Sequence, residues 1–410
     1  MKLYHFSMLA GLFFAVPAIG QVAVDTTTDF LNLPTNIPNK DARFYRPAII
    51  QKSTGTGTFS LGGYASANSQ YFVTDGEGDG LHFQLGDLHL FGQTTFLNNR
   101  LHFITDVEYD ASTQQFKLTE AALNIQFDKA FNIRGGVVLP PIGYFNQNGD
   151  SPTTDFVDWP LVSTTIIPSR LSEVGFGING NIEVQENLSL TYEMYAVNGL
   201  QEAIVDNDLP RTAIDLGKTG NLFGEDNNGK LAYTGRLGIQ QRQWGELGLS
   251  FYTGAYNRTE VNEVEIDESR SLSIFAVDGR FQIQKLTLKS EVAYATIDIP
   301  PGIAHIFGDT QLGYHVEATY PIWENINLLG QHNNYLNLAF RLEKADYNVG
   351  DFVQTETKIY DEMMGLRAGL ALHLGQRTVL KANYSYFKDM DILGNSSKTG
   401  GFQFGFSSYF

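Results

Sequence analysis

Cysteine is absent from all 410 residues, which excludes disulfide staples, thiol nucleophiles and thiolate metal ligands together. A chain without thiols also crosses an oxidising compartment unchanged. Long apolar runs are missing: no stretch approaches the roughly 18 consecutive apolar residues that a membrane-spanning helix needs. Positive charge is scarce, with 28 Lys and Arg against 45 Asp and Glu and a formal net charge of −17. The basic footprint that holds nucleic-acid phosphates is therefore not there. Catalytic signatures are also lacking. No Gly-x-Ser-x-Gly elbow occurs, and His89, His102, His305, His315, His332 and His373 are scattered without metal-ligand spacing.

Aromatic residues and glycine are plentiful instead: aromatics make up 13% of the chain, with 41 glycines, while charged residues account for only 18%. From Gly57 onward, period-2 alternation recurs in blocks of about ten to fifteen residues, the signature of strands with two unlike faces. The blocks begin near Thr58, Leu81, Arg100, Gln114, Phe131, Ser172, Asn187 and Lys230, then near Trp244, Arg270, Lys285, Asp309, His332, Tyr360, Gln376 and Thr399. The expectation is an all-β chain of about sixteen strands.

The junctions sort by length. Every even-to-odd link is tight, as at Leu97 to Arg100, Asp128 to Ala130, Gln185 to Asn187, Gln241 to Gln243, Gln284–Lys285 and Gly375–Gln376, the longest being Pro321 to Ile326. Odd-to-even links are long and polar: Asn68 to Gly80, Pro140 to Leu171, Leu200 to Gly229, Asn257 to Glu268, Asp298 to Gly308, Asp346 to Ile359 and Asp389 to Lys398. Only the link near Ala111 is short. A soluble sandwich has no reason to sort its loops this way. An up-and-down transmembrane barrel does, with short periplasmic turns and long extracellular loops. Ten residues rising about 3.3 Å each at a tilt near 40° span roughly 25 Å, the height of the apolar band. A cylinder of that strand number cannot fill itself with its own side chains, so its lumen should hold water.

Facing follows from the alternation. Outward candidates are Leu101, Phe103, Val107 and Tyr109; Leu188, Leu190, Tyr192 and Met194; Leu336, Leu338, Phe340 and Leu342; and Leu366, Ala368, Leu370, Leu372 and Leu374. Inward bases are Arg134, Arg236, Arg280, Lys289, Arg341, Arg367 and Lys381. Inward acids are Asp106, Glu108, Glu120, Glu193, Glu246, Asp278, Glu291, Glu317 and Glu343. Such a lumen is mixed in sign and carries no basic ladder, so weak selectivity or a cation bias is expected.

Both ends add expectations. Lys2, the apolar run Met8 to Pro17 and the small residues Ala18 and Gly20 read as an export signal over residues 1–20, cleaved before Gln21. Residues 21–56, with Pro34, Pro38 and Pro47, read as an irregular periplasmic lead-in, and 57–410 as the barrel. Phe402, Phe404 and Phe406 alternate with Gln403, Gly405 and Ser407 before Phe410. A strand running into a final aromatic resembles the closing strand of bacterial outer-membrane proteins.

The long segment 140–171 is the natural place for function. It holds Asp150, Asp155, Asp158, Trp159 and Arg170, and follows the fifth strand. Either it enters the lumen and constricts it, or it caps the surface without a role in permeation. Four landmarks, taken in order and spacing, resemble the phosphate-selective porin O/P family over most of the chain after residue 57: Glu120-Ala121-Ala122, Arg134-Gly135-Gly136, Pro160-Leu161-Val162 with Ile167-Pro168, and Val197-Asn198-Gly199. The resemblance implies a sixteen-stranded barrel, commonly trimeric, that passes small hydrophilic solutes down their gradients. Phosphate selectivity is not carried over, because the basic ladder is missing. Expected partners are outer-membrane lipid and lipopolysaccharide, with neither cofactor nor metal. Three other readings stay open: an oligosaccharide or other nutrient channel, hinted at by Tyr195, Tyr252 and Trp159; an outer-membrane enzyme; and an adhesion barrel using its acidic loops.

Overall fold

Strands whose residues alternate between apolar and polar can bury neither face in an ordinary core, and here they curl into one closed sheet. The structure is a computed structural model describing residues 46–410 apart from 56, 112–113, 210, 219–222, 225, 227, 262–263, 304–305, 329 and 353–354. The expected export signal, 1–20, and most of the lead-in lie outside the described residues. Seventeen strands share the sheet, of which sixteen form the cylinder. They are β1 (Gly57–Thr74), β2 (Glu77–Phe96), β3 (Leu101–Asp110), β4 (Gln115–Gln126), β5 (Asn132–Val138), β6 (Glu173–Gln185), β7 (Leu188–Val197) and β8 (Ala232–Gln241). The second half comprises β9 (Gly245–Ala255), β10 (Ser271–Ile283), β11 (Leu286–Ile297), β12 (Thr310–Leu328), β13 (Gln331–Asp346), β14 (Glu362–Leu374), β15 (Thr378–Met390) and β16 (Ser396–Tyr409). Each pairs antiparallel with its sequence neighbours, and β16 pairs with β1 from Thr399↔Thr74 to Tyr409↔Tyr64, closing the barrel.

The two faces are inverted relative to a soluble protein. Along β14, Leu366 and Leu370 are exposed while Arg367, Ala371 and His373 are buried. Along β16, Phe402, Phe404 and Phe406 are exposed while Gln403 and Ser407 are buried. In water, charged side chains are seldom fully buried and large continuous apolar faces seldom exposed; a cylinder with hydrocarbon outside reverses both. One rim carries short turns at 97–100, 127–131, 186–187, 242–244, 284–285 and 375–377. The other carries the long connections 139–172, 198–231, 256–270, 298–309 and 347–361.

Four boundaries differ from expectation, the mildest being Asp389 to Lys398, where pairing up to Met390↔Ser396 leaves only five residues between β15 and β16. The acidic stretch from Asn68 to Gly80 is not a loop: β1 and β2 continue to a two-residue turn at Asp75 (φ 51°) and Gly76 (φ 97°). Positive φ at both central residues is the hairpin geometry that Asp-Gly favours. Pro321 to Ile326 is not a turn either, because β12 and β13 pair on to Leu328↔Gln331. Register shifts between Pro321, Trp323 and Ile326 place the proline, which has no N–H for the ladder, at a bulge. Finally, Ile50–Thr54, within the expected irregular lead-in, is a strand paired with Leu61 to Gly57 of β1. It occupies the edge of β1 below the point where β16 ends, supplying partners that an open edge would lack.

Candidate functional site

Pro140 and Pro141 end β5, since neither can donate to a ladder. The segment 139–172 that follows contains two one-turn helices, α1 (Phe145–Asn148) and α2 (Leu161–Thr164). Most of its residues are buried, and its polar groups bond to side chains on the polar face of strands from β1 to β16.

Three aspartates carry much of the anchoring. Asp150 accepts from Arg46 at 2.9 Å and from the Tyr409 hydroxyl at 2.9 Å, with Arg170 at 3.5 Å. Asp155 accepts from Asn337 at 2.9 Å and Thr319 at 3.2 Å, and lies 2.9 Å from His373 Nε2. Asp158 accepts from Arg367 at 2.7 Å and Gln403 at 2.8 Å. Burial alone would push Asp155 and Asp158 upward. For Asp155 the His373 hydrogen bond and the charge of Lys289 outweigh it, and for Asp158 the Arg367 guanidinium does, so both stay below the usual carboxylate range.

The wall supplies the remaining partners. Arg341 bonds Glu317 at 2.6 Å and the Asp158 carbonyl at 2.9 Å, and lies over the Phe156 ring at 4.5 Å. Arg367 also bonds Glu343 at 2.7 Å. Glu343 in turn accepts from the Leu161 N–H at 2.8 Å. Lys289 bonds Glu317 at 3.2 Å. Lys381 donates to the carbonyls of Ser151 (2.8 Å) and Phe156 (3.1 Å) and to the Thr154 hydroxyl (2.7 Å). Glu291 accepts from Ser163 at 2.5 Å and from the Tyr144 N–H at 2.6 Å. Arg170 reaches Tyr64 at 2.5 Å, His89 at 2.6 Å and the Gly149 carbonyl at 2.9 Å, and lies over Trp159 at 5.1 Å.

The other expected wall residues form separate groups. Arg236 is shared by Asp278 (2.6 Å) and Glu246 (2.7 Å). Arg134 is 3.7 Å from Glu193, which accepts from Gln147 of α1 at 3.3 Å. Asp106 lies 2.9 Å from His89, with Glu120 opposite it on β4 and Glu108 3.9 Å from the same histidine. Arg280, exposed on the face that carries buried Asp278, reaches the Tyr144 hydroxyl at 3.5 Å.

Alternation assigns these residues a face of their strands but not their partners. It gave no sign that His89, His373, Tyr64 and Tyr409, whose only sequence mark is parity along a strand, hold the loop, nor that Arg46, which precedes every strand, does. It also missed an apolar patch on the inner face. Leu272, Ile274 and Ile297 pack with Ile142, Val162, Ile166 and Leu171 of the segment and with Leu200, Ile204 and Ile214 of the connection 198–231. Tyr195 and Tyr252, candidates for a stacking line, are buried in this same cluster.

No family model matches the chain. An uncharacterized protein of Aquifex aeolicus is 25% identical over 304 residues, covering 67% of this chain and 66% of the relative, slightly less than two thirds of its length. Among solved structures, OmpF of Salmonella typhi, in complex with daunomycin, superposes with a TM-score of 0.58 at 11% identity, covering 88% of this chain and all of that one. An outer-membrane-expressed OmpT of Vibrio cholerae gives 0.55 at 11% identity, covering 88% and 100%. The anion-selective porin of Comamonas acidovorans gives 0.52 at 14%, covering 86% and 100%. At such identities the likeness is one of fold, the porin-type barrel.

Proposed function

We propose that the chain is a porin of the bacterial outer membrane, through which small hydrophilic solutes and ions diffuse passively. On this reading residues 1–20 direct export, lipid and lipopolysaccharide meet the apolar outer face, and the segment 139–172 lies in the water-filled lumen and narrows it. One observation carries the reading: a single connection bonds to polar-face side chains on opposite sides of the cylinder, among them Tyr64 of β1, Glu291 of β11 and Arg367 of β14. A cap resting on the rim would reach only its neighbours.

Selectivity follows from how the bases are used. Lys289, Arg341, Arg367 and Lys381 are engaged with carboxylates or with loop carbonyls and a hydroxyl, so they do not form the free ladder of a phosphate channel. We infer a weak preference or a cation bias, and a homotrimer, since an in-vitro folded OmpT of Vibrio cholerae is described in a trimer form. An oligosaccharide channel is less well supported, because Tyr195 and Tyr252 are buried and Trp159 packs on Arg170. Swelling of proteoliposomes in graded neutral sugars tests the reading. Monosaccharides should enter fastest, with rates falling steeply as the sugar lengthens; vesicles that do not swell in any sugar would overturn it.

A further inference from the structure

We propose that Arg46, from the segment before the first barrel strand, is a positioning residue of the constriction. It fixes the loop against the wall by bridging Asp150 to Asp106. The proposal rests on the porin reading and deepens it, by adding to the constriction a part outside both the barrel strands and the loop.

The geometry is that of a buried fork. One guanidinium nitrogen of Arg46 lies 2.5 Å from Asp106 Oδ2, another 2.9 Å from Asp150 Oδ1, and Nε 2.7 Å from Asp150 Oδ2. The guanidinium lies over the Phe91 ring, 5.0 Å from its centroid, and only 6% of the side chain is exposed. Arginine suits this role because its planar fork binds two carboxylates in fixed directions, whereas a lysine is a point charge. Without the guanidinium, Asp106 and Asp150 would keep His89, the Tyr409 hydroxyl and the more distant Arg170 as partners in a poorly solvated site, where like charges repel strongly.

Arg46 is delivered there by the arm. Ile50–Thr54 pairs with β1, the Ile49 N–H donates to the Leu61 carbonyl at 2.8 Å, and Pro47 then turns the chain so that its carbonyl lies over Gly62. A Cβ at Gly62 would sit 2.6 Å from that carbonyl and 2.8 Å from the Phe91 ring, so the close approach requires glycine. The loop's other anchors divide unevenly. Asp155, Asp158 and Leu161 are tied to β12 to β16. Arg170 holds the loop to β1 and β2 through Tyr64 and His89, and Arg46 joins Asp150 directly to Asp106 of β3.

The test uses the full chain in planar bilayers, comparing wild type with Arg46→Ala, Arg46→Lys and Asp150→Asn. Heat-modifiable electrophoretic mobility establishes that each variant folds. Should Arg46→Ala not fold, Arg46→Gln, which keeps the stem over Phe91, replaces it. Loss of the bridge should make current fluctuations about tenfold more frequent. Lysine should restore part of the quiet behaviour, and Arg46→Ala should add little to Asp150→Asn. Trypsin cleavage after Arg170 reads the same position without conduction, so it separates this proposal from the porin reading: wild type should be protected and Arg46→Ala cut. Identical fluctuations and identical cleavage in wild type and Arg46→Ala would overturn the proposal.

Discussion

Leu370 and Ala371 are adjacent on β14, yet the first is 42% exposed and the second fully buried. The difference comes from which side of the cylinder each Cβ points to. Replacing Leu370 by Arg therefore puts a charge into hydrocarbon, which costs about 2–4 kcal/mol near the bilayer midplane. Urea unfolding of the barrel in lipid vesicles should show that loss, and a change within about 0.5 kcal/mol, as for an ordinary surface site, would mean the face does not meet lipid. At this scale sequence reasoning has parity as its only variable. The inward assignments of Arg341, Glu343 and Glu317 follow from counting by twos. Pairings such as Asp155 with His373, or Asp106 with Arg46, join positions far apart in the chain. They depend on where a loop lies, which no local pattern encodes. Leu272 and Ile274 break the polar rule on the inner face because the loops cover them.

At the scale of elements, strands were legible and their ends less so. Long hydrophobic alternation marks a strand, but a two-residue Asp-Gly turn or a bulge at Pro321 can carry pairing through residues that read as loop. The segment 139–172 was recognisable by length and position, while its attachment was not. That attachment has a pH signature. Asp155 and Asp158 are held below their ordinary values, so they bind fewer protons folded than unfolded. Their contribution is complete above the unfolded aspartate value near about 4 and is lost as pH falls through the lower folded values. Around Asp155 stand His373, Asn337 and Thr319, with the charge of Lys289 nearby; around Asp158 stand Arg367 and Gln403. The loop should thus resist trypsin from pH 8 to pH 5, and a labile, acid-cleaving protease should find it only below about pH 4. Release of the loop between pH 7 and pH 5 would contradict this.

At the scale of the whole molecule, a closed antiparallel barrel with apolar outside and polar inside leaves few alternatives for what fills it. The polar face is heavily used: carboxylates and bases pair with one another or with the loop, as in the Arg236, Glu246 and Asp278 group and the Arg341 and Glu317 pair. Paired charges keep a wall rigid more than they attract ions, which is why weak selectivity is expected of a chain with net charge −17. The central claim is that water remains in the lumen beside the loop. Single-channel recording of the purified chain in a planar bilayer, under a salt gradient, tests it most directly. Discrete, roughly ohmic current steps with a reversal potential near zero or displaced toward cations are the predicted result. A bilayer that stays electrically silent after verified insertion, or steps with strong anion preference, would contradict the account.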